Sequence, residues 1–128
     1  MSKETVRTER APAPFQGAPY SQAIVHGDLV FVSGQLGIDP GSNEVVAGGI
    51  AAQTEQALEN VGAILEEAGS SLASVLQASI FLIDLQDFGA MNEVYARLMG
   101  DVYPARATVQ IAALPSGARI EIAVIAAR

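Results

Sequence analysis

PARATVQI, residues 104–111, and RIEIAVI, residues 119–125, are two apolar runs, and the turn-forming segment LPSGA, residues 114–118, lies between them. Runs of this length that are rich in β-branched residues and bounded by Pro and Gly predict two β-strands. Apart from Arg119, which adjoins the turn, the two runs carry one charge each, Arg106 in the first and Glu121 in the second. A charge in a half-buried strand is costly unless it is paired, hydrogen-bonded or in contact with a ligand. One explanation is a site for a small carboxylate with a general acid/base beside it.

The alternation of side chains along a strand leaves a second explanation open. It places Arg106 and Thr108 on one face of the first strand, and Glu121 and Ala123 on one face of the second. If the two strands pair as neighbours, Arg106 and Glu121 lie near each other. A cross-strand ion pair then explains the two charges at least as well as a catalytic pair does.

Two helices are predicted between the strands. Apolar residues at helical spacing predict the first from about residue 50 to 68, with Gly69 as its left-handed C′ residue and Gln53 among the polar residues of its opposite face. The second is predicted over residues 88–99, with Asp87 as N-cap and an apolar stripe that begins at Phe88.

Further strands are predicted on either side of the first helix. Residues 23–33 form a hairpin signal around Gly27, and residues 75–83 are typical of a strand. Gly34 indicates either a β-bulge or a close approach to a ligand, and the bulge alone is favoured. Residues 1–18 contain Pro12, Pro14 and Gly17, which favours an extended lead-in, either a loop or an edge strand.

This order of elements predicts an α+β fold, with two helices on one face of a mixed sheet. The 128 residues suit a single domain, residues 1–128. Because the strands are apolar, the sheet face away from the helices needs cover, and a second copy of the chain is the natural partner.

Composition excludes several classes of function. A net charge of −7 with only seven scattered basic residues argues against nucleic acid as a partner. The absence of cysteine excludes thiolate chemistry, and His26 is the only histidine, so we expect no metal site. The polar N-terminal residues and the lack of a membrane-spanning run predict a soluble, cytoplasmic protein with no membrane partner.

Several dispersed motifs, in order along nearly the whole chain, resemble the RidA family of reactive intermediate deaminases, also called the YjgF-type or L-PSP endoribonuclease-like family. The motifs are PYSQA (19–23), VSGQ (32–35) with DP (39–40), QT (53–54) with LEN (58–60), DF (87–88) with NEVY (92–95), PAR (104–106), and LP (114–115) with IEI (120–122). Such a series is more specific than any one of its members.

The resemblance implies a chorismate-mutase-like fold in a homotrimer, whose sheets form a central barrel and whose active sites lie between subunits. It also implies an enzyme of metabolite damage control, a hydrolase that needs no cofactor. The family converts 2-enamino and 2-imino acids, such as 2-aminoacrylate and 2-iminobutanoate, to 2-keto acids and ammonia.

The resemblance also assigns roles to individual residues. Arg106 matches the arginine that holds the substrate carboxylate, a role that suits its bidentate fork. Glu121 matches the glutamate that positions or activates the attacking water. Tyr20 matches a tyrosine of the cleft wall, although it could also be a packed aromatic near the start of a strand. Ser33 and Gln35 lie in the Ser-Gly-Gln stretch, and Ser33 could donate a hydrogen bond to ligand or water.

Two further positions complete the predicted site. Asn92 matches a cleft asparagine of the second helix, although an asparagine in a helix can also bond locally. Thr108 stands where many relatives have cysteine, a departure expected to alter pocket shape more than mechanism. The stretch from Tyr95 to Pro104 is shorter than in relatives by about three residues. If this loop, residues 96–103, borders the cleft, the substrate preference can differ from that of the relatives.

Two other functions stay open. One is a non-catalytic regulatory module that binds a small carboxylate in the same cleft. The other is a ribonuclease or translation inhibitor, a function attached to some relatives by name, which the acidic charge and the lack of a basic surface disfavour.

Overall fold

The structure, a computed structural model, describes residues 2–128. It contains two α-helices and eight strands. The helices are α1 (Gly49–Glu67) and α2 (Phe88–Met99). The strands are β1 (Glu4–Val6), β2 (Ala23–His26), β3 (Leu29–Leu36), β4 (Ile38–Asp39), β5 (Glu44–Val45), β6 (Val75–Leu82), β7 (Ala105–Gln110) and β8 (Ile120–Ala127).

Six strands form one mixed sheet in the order β1-β2-β3-β8-β6-β7, and β4 pairs with β5 in a separate ribbon. Strand β7 lies parallel to β6, whereas every other neighbouring pair in the large sheet is antiparallel. The expectation that the two closing strands could pair with each other was therefore wrong, because β6 lies between β7 and β8. Parallel neighbouring strands need a crossover connection, usually a helix, and α2 is that connection between β6 and β7.

Both helices pack on one face of the sheet, as expected for this α+β fold. The alternation along β8 shows which face: Ile120, Ile122, Val124 and Ala126 are buried, and the residues between them are half-buried. The inward residues form one core with α1 and α2. Burying aliphatic side chains between helices and sheet is the main stabilising term of such a layer.

The other face of the sheet is open in the single chain. Its apolar side chains include Leu29, Phe31 and Val109, which are exposed. Ile125, the partner of Phe31 across the strands, is half-buried. An open apolar sheet face of this kind is typical of a surface that another molecule covers.

Helix α1 ends as predicted, but its polar positions are more deeply buried than the helical pattern indicates. Gly69 adopts the left-handed conformation, with φ of 82°. Gln53, expected on the solvent face, is buried. Its side-chain oxygen accepts a hydrogen bond from the Arg119 backbone N–H at 2.8 Å, which compensates for the loss of water. Asn60 is also buried, and its Nδ2 donates to the carbonyl oxygens of Leu36 and Ile38. These bonds tie α1 to the ends of β3 and β8.

Helix α2 begins at Phe88 as expected, but two side chains at its start differ from the prediction. Asp87 makes no capping hydrogen bond, and instead both of its carboxylate oxygens accept from Nη2 of Arg119, at 2.7 and 2.8 Å. Phe88 is largely exposed rather than part of the buried stripe. The buried stripe consists of Met91, Val94, Tyr95 and Met99.

The N-terminal part of the described chain forms an edge strand, β1, which pairs with β2. The hairpin between β2 and β3 turns at Gly27, whose φ is 61°. No helix among residues 2–128 is long and apolar enough to cross a membrane.

Candidate functional site

Arg106 lies on the edge strand β7 and points to the helix face of the sheet. Arg106 pairs with Ala78 of β6, and Ala78 pairs with Val124 of β8, which is buried and points inward. All three residues therefore share that face. The guanidinium carbon is 4.8 Å from the ring centroid of Tyr95 and 5.5 Å from that of Phe88. Aromatic faces attract a cation at these distances and fix its orientation.

No carboxylate of the described chain pairs with Arg106. The three ion pairs within residues 2–128 join Arg10 to Glu66, Arg97 to Glu55 and Arg119 to Asp87. The guanidinium therefore keeps its hydrogen-bond donors for another group, and its planar fork matches a carboxylate.

A pocket of about 320 Å³ adjoins Arg106. Its other walls are Asn92, Tyr95 and Ala96 from α2, and Tyr103 and Pro104 from the loop that follows the helix. Oδ1 of Asn92 and the hydroxyl of Tyr95 are buried and have no hydrogen-bond partner. Burial raises the pKa of Tyr95, and the charge of Arg106 partly offsets that rise. The pocket thus combines a cation with an apolar wall, and two of its lining residues each hold a buried polar atom that has no partner within the described chain.

Glu121 occupies a different pocket, on the opposite face of the sheet. Phe81 pairs with Val109 on one side and with Glu121 on the other, and these three residues share the outward face. The Glu121 pocket has a volume of about 540 Å³, and Tyr20, Gly34 and Gln35 also line it. Burial raises the pKa of Glu121 above its ordinary value. A carboxyl group with a raised pKa in a pocket is a candidate general acid/base.

The predicted residues near Glu121 form hydrogen bonds with the neighbouring backbone. The hydroxyl of Tyr20 accepts a hydrogen bond from the Phe15 backbone N–H at 2.6 Å, and its ring is partly exposed toward the pocket. Gln35 is buried and donates to the Ser33 carbonyl at 3.2 Å. Ser33 does not line the pocket, and its hydroxyl donates to the Ser21 carbonyl at 2.6 Å.

The sequence-predicted residues therefore fall into two groups within one chain. Arg106 and Asn92 line one pocket, and Thr108 is half-buried on the same face of β7 as Arg106. Glu121, Tyr20 and Gln35 line the other pocket. A cross-strand ion pair between Arg106 and Glu121 is excluded within the described chain, because strand β6 separates them and they point to opposite faces.

Some residues of the two pockets were not predicted as site residues. Tyr95 and Phe88 were interpreted only as members of an apolar stripe, although both contact Arg106. Tyr95 follows Asn92 by three positions on the same helix, a spacing that places both side chains on one face. That spacing was the available signal. Among residues 2–128, no group of three or more His, Asp or Glu side chains is placed to hold a metal ion.

Comparison with known proteins links this chain to one family. The sequence profile described as Endoribonuclease L-PSP matches residues 8–128. A RutC family protein from Pyrococcus abyssi is 48% identical over 126 residues, which cover 98% of each protein. The 2-iminobutanoate/2-iminopropanoate deaminase of Bos taurus is 43% identical over 126 residues, which cover 98% of this chain and 90% of that protein. The crystal structure of RidA from an Antarctic Psychrobacter species superposes with a TM-score of 0.93 at 46% identity, covering 98% of this chain and 99% of that one.

Proposed function

Because the chain belongs to the endoribonuclease L-PSP family, which includes the RidA proteins, we propose that it is a cofactor-independent hydrolase that deaminates 2-imino and 2-enamino acids. The products are a 2-keto acid and ammonia. The family name alone does not select this activity, but the two pockets support it.

The observation that carries the proposal is the unpaired guanidinium of Arg106 beside a mostly apolar pocket. A small 2-imino acid offers a carboxylate for the guanidinium and an alkyl group for the apolar wall. Asn92 lines the pocket, and a turn of its side chain would let Oδ1, which is buried without a partner, accept a hydrogen bond from the substrate nitrogen. A buried acceptor that has no partner costs free energy until a donor reaches it, so a ligand with an N–H group fits the pocket better than a purely apolar one.

Glu121 supplies the general acid/base that the reaction needs in addition to a carboxylate-binding group. Its carboxyl group is half-buried, and burial raises its pKa above the ordinary value. The ionised carboxylate accepts a proton from water as the water oxygen attacks the C=N carbon. Protonated Glu121 gives that proton to the nitrogen, which completes the carbinolamine. The carboxylate then takes the hydroxyl proton and passes it to the nitrogen, so that the C–N bond breaks, ammonia leaves and the C=O bond of the keto acid forms. For a 2-enamino acid, protonation of the β-carbon first gives the imine, and protonated Glu121 is a suitable donor.

The separation of the two pockets supports a site shared between copies of the chain. Within one chain Arg106 and Glu121 lie on opposite faces of the sheet, so one substrate cannot contact both. In a symmetric ring the Arg106 pocket of one subunit can face the Glu121 pocket of the next. We propose a homotrimer of this kind, with the exposed apolar side chains of the open sheet face, such as Phe31, buried between subunits.

The short loop after α2 is the proposed determinant of substrate range. Tyr103 and Pro104 of this loop line the Arg106 pocket, and Tyr103 is largely exposed at its mouth. A shorter loop that carries one aromatic side chain gives an open apolar rim. We propose that this rim accepts larger alkyl groups than 2-aminoacrylate carries.

An assay of imine decay tests the function directly. An amino acid oxidase generates 2-iminobutanoate in the cuvette, and semicarbazide traps the imine that escapes hydrolysis. The wild-type chain is expected to lower semicarbazone formation, and Arg106→Ala is expected to abolish that effect. Arg97→Ala is the matched control, since Arg97 is exposed and pairs only with Glu55. Equal activity of wild type and Arg106→Ala contradicts the proposal, and tight keto-acid binding without turnover favours a binding module.

A nuclease is the weaker candidate for the same chain. Three of the seven basic residues, Arg10, Arg97 and Arg119, are paired with carboxylates. Arg128 donates to backbone carbonyls of Gly27 and Ala68. Few cations are then left for phosphate contacts, on which nucleic-acid affinity depends. RNA cleavage by the purified chain that Arg106→Ala or Glu121→Gln abolishes would reverse this ranking.

A further inference from the structure

Gly34 lies at an irregularity in the pairing of β3 with β8. Val32 pairs with Val124, and the next pairs in the ladder are Gln35 with Ile122 and Leu36 with Glu121. Three steps along β3 therefore oppose two along β8, which is a β-bulge of one extra residue. The bulge brings the backbone at Gly34 against the side chain of Glu121.

The backbone conformation does not require glycine at this position. Gly34 is not among the glycines with positive φ, so its dihedral angles are accessible to other residues. A Cβ at Gly34 would, however, lie 2.5 Å from both Cδ and Oε2 of Glu121 and 2.9 Å from its Cγ. Carbon atoms in contact are normally about 3.5–4.0 Å apart. The Glu121 carboxylate occupies the space that a side chain at position 34 would fill.

We propose that Gly34 is a positioning residue that sets the place and the burial of the Glu121 carboxylate in its pocket. The absent side chain lets the carboxylate lie against the bulged backbone, where it is shielded from water. Any larger residue moves the carboxylate outward. Because the group that must move is the end of a flexible side chain, the fold tolerates the change. The carboxylate, however, is displaced from its place in the pocket.

The consequence for the reaction rests on the proposed function. A general base must stay within hydrogen-bond reach of the water that it activates. In the proposed shared site the substrate carboxylate is held by Arg106 of the neighbouring copy. Within one chain Arg106 is on the other face of the sheet from Gly34, so a change at Gly34 leaves the guanidinium itself in place. Gly34 thus acts on the general base rather than on the group that holds the substrate carboxylate.

The decisive experiment is independent of activity. Carbon-detected NMR titration of the Glu121 carboxyl carbon is carried out on wild type, Gly34→Ala and Gly62→Ala, with Glu121→Gln used to assign the signal. Gly62 is the matched control, because a Cβ there would meet only Leu72, at ordinary contact distances of 3.4 Å and more. We expect Gly34→Ala to lower the pKa of Glu121 toward that of a hydrated glutamate, and Gly62→Ala to leave it unchanged. An unmoved pKa in Gly34→Ala overturns the proposal.

Kinetics add a second readout. In the imine assay Gly34→Ala is expected to lower kcat about tenfold or more with KM within about twofold of wild type, as for a displaced general base. Adding Glu121→Asp, which shortens the colliding side chain, is expected to restore part of kcat. A wild-type kcat in Gly34→Ala overturns the role in the reaction. If the wild-type chain shows no deaminase activity, only the proposed function fails, and the titration still decides the role of Gly34.

A folding failure would also be informative. If Gly34→Ala does not fold, the same substitution is made in a Glu121→Ala chain, which lacks the colliding atoms. The proposal expects this double variant to fold as Glu121→Ala does. Failure of the double variant shows that the backbone itself needs glycine, and this overturns the proposal.

Discussion

Arg106 and Glu121 point to opposite faces of the same sheet, with strand β6 between the strands that carry them. If one active site needs both residues, two chains must supply them. Co-expression of Arg106→Ala with Glu121→Gln is therefore expected to restore activity, although each variant alone is inactive. Random assembly into a ring leaves about a quarter of the interfaces with both native residues. The measurement is the specific activity of the purified mixture.

Co-expression of wild type with the double variant Arg106→Ala/Glu121→Gln is the control. A shared site gives about a quarter of wild-type activity in both mixtures, by the same pairing of neighbours. A site within one chain gives about half in the control and none in the first mixture. That second pattern would contradict the shared site.

The raised pKa of Glu121 predicts an effect of pH on both activity and stability. Activity should fall as pH drops through the raised pKa, because the ionised form accepts the proton of water. The stability effect has the opposite direction. The folded chain holds a proton that the unfolded chain loses near the ordinary value of 4.5, so stability falls as pH rises from there to the folded pKa.

Glu121→Gln removes this titration. The variant should lose kcat and yet unfold at a higher temperature than wild type at pH 7, with the difference in Tm shrinking below about pH 4.5. Thermal denaturation at a series of pH values checks this. A variant that is less stable than wild type at pH 7 would mean that the carboxylate has a stabilising partner.

The ion pair between Asp87 and Arg119 should be worth more than the exposed pair between Glu55 and Arg97. Asp87 is buried, and both of its oxygens accept from the guanidinium. Since the Arg119 side chain is 44% exposed, we expect Asp87→Ala to lower the free energy of unfolding by about 1–2 kcal/mol, after a reduction for solvent screening.

Glu55→Ala is the control for this pair and should cost about 0.5 kcal/mol or less. Urea denaturation of the two variants gives the comparison. Equal costs would mean that the bidentate geometry adds nothing to stability.

The hydroxyl of Tyr95 is buried without a partner, so its removal should not destabilise the chain. Tyr95→Phe is expected to match or exceed the wild-type free energy of unfolding, by up to about 1 kcal/mol, because an unsatisfied buried group is lost. Tyr95→Leu removes the ring beside Arg106 and should lower the free energy of unfolding. Chemical denaturation distinguishes the two. A large loss in Tyr95→Phe would show that the hydroxyl has a partner in solution.

Local signals in the sequence predicted local structure well. Gly27 and Gly69 both adopt positive φ at the turn and the helix end where each was expected. Apolar spacing predicted α1 to within a residue at either end. These features depend on the conformational preferences of a few adjacent residues, which the sequence carries directly.

Strand order and polar burial were harder to predict, because they depend on distant partners. Periodicity assigns a side chain to a face but does not name the neighbouring strand, so the position of β6 between β7 and β8 was missed. The strand-helix-strand order of β6, α2 and β7 was the available signal for a parallel pair. Gln53 was expected on the surface because its partner, the Arg119 backbone, is 66 residues away.

Only part of the candidate site was predicted, because some of its features also depend on residues that are distant in sequence. The charges in two apolar strands led to the prediction of Arg106 and Glu121 as site residues, and each of them lines a pocket. The ring contacts of Arg106 and the space that Gly34 leaves for Glu121 are tertiary features, and no spacing in the sequence encodes them.

The central position of β8, between β3 and β6, has a consequence for folding during synthesis. β8 follows all the other strands in sequence, and until it leaves the ribosome β3 and β6 each keep one edge without a partner. Neither half of the sheet can close on its own, and unpaired edges favour aggregation. Many contacts of the core join residues far apart in sequence, which slows folding further. The chain should therefore depend on chaperones or fast completion of synthesis more than a helical protein of equal length.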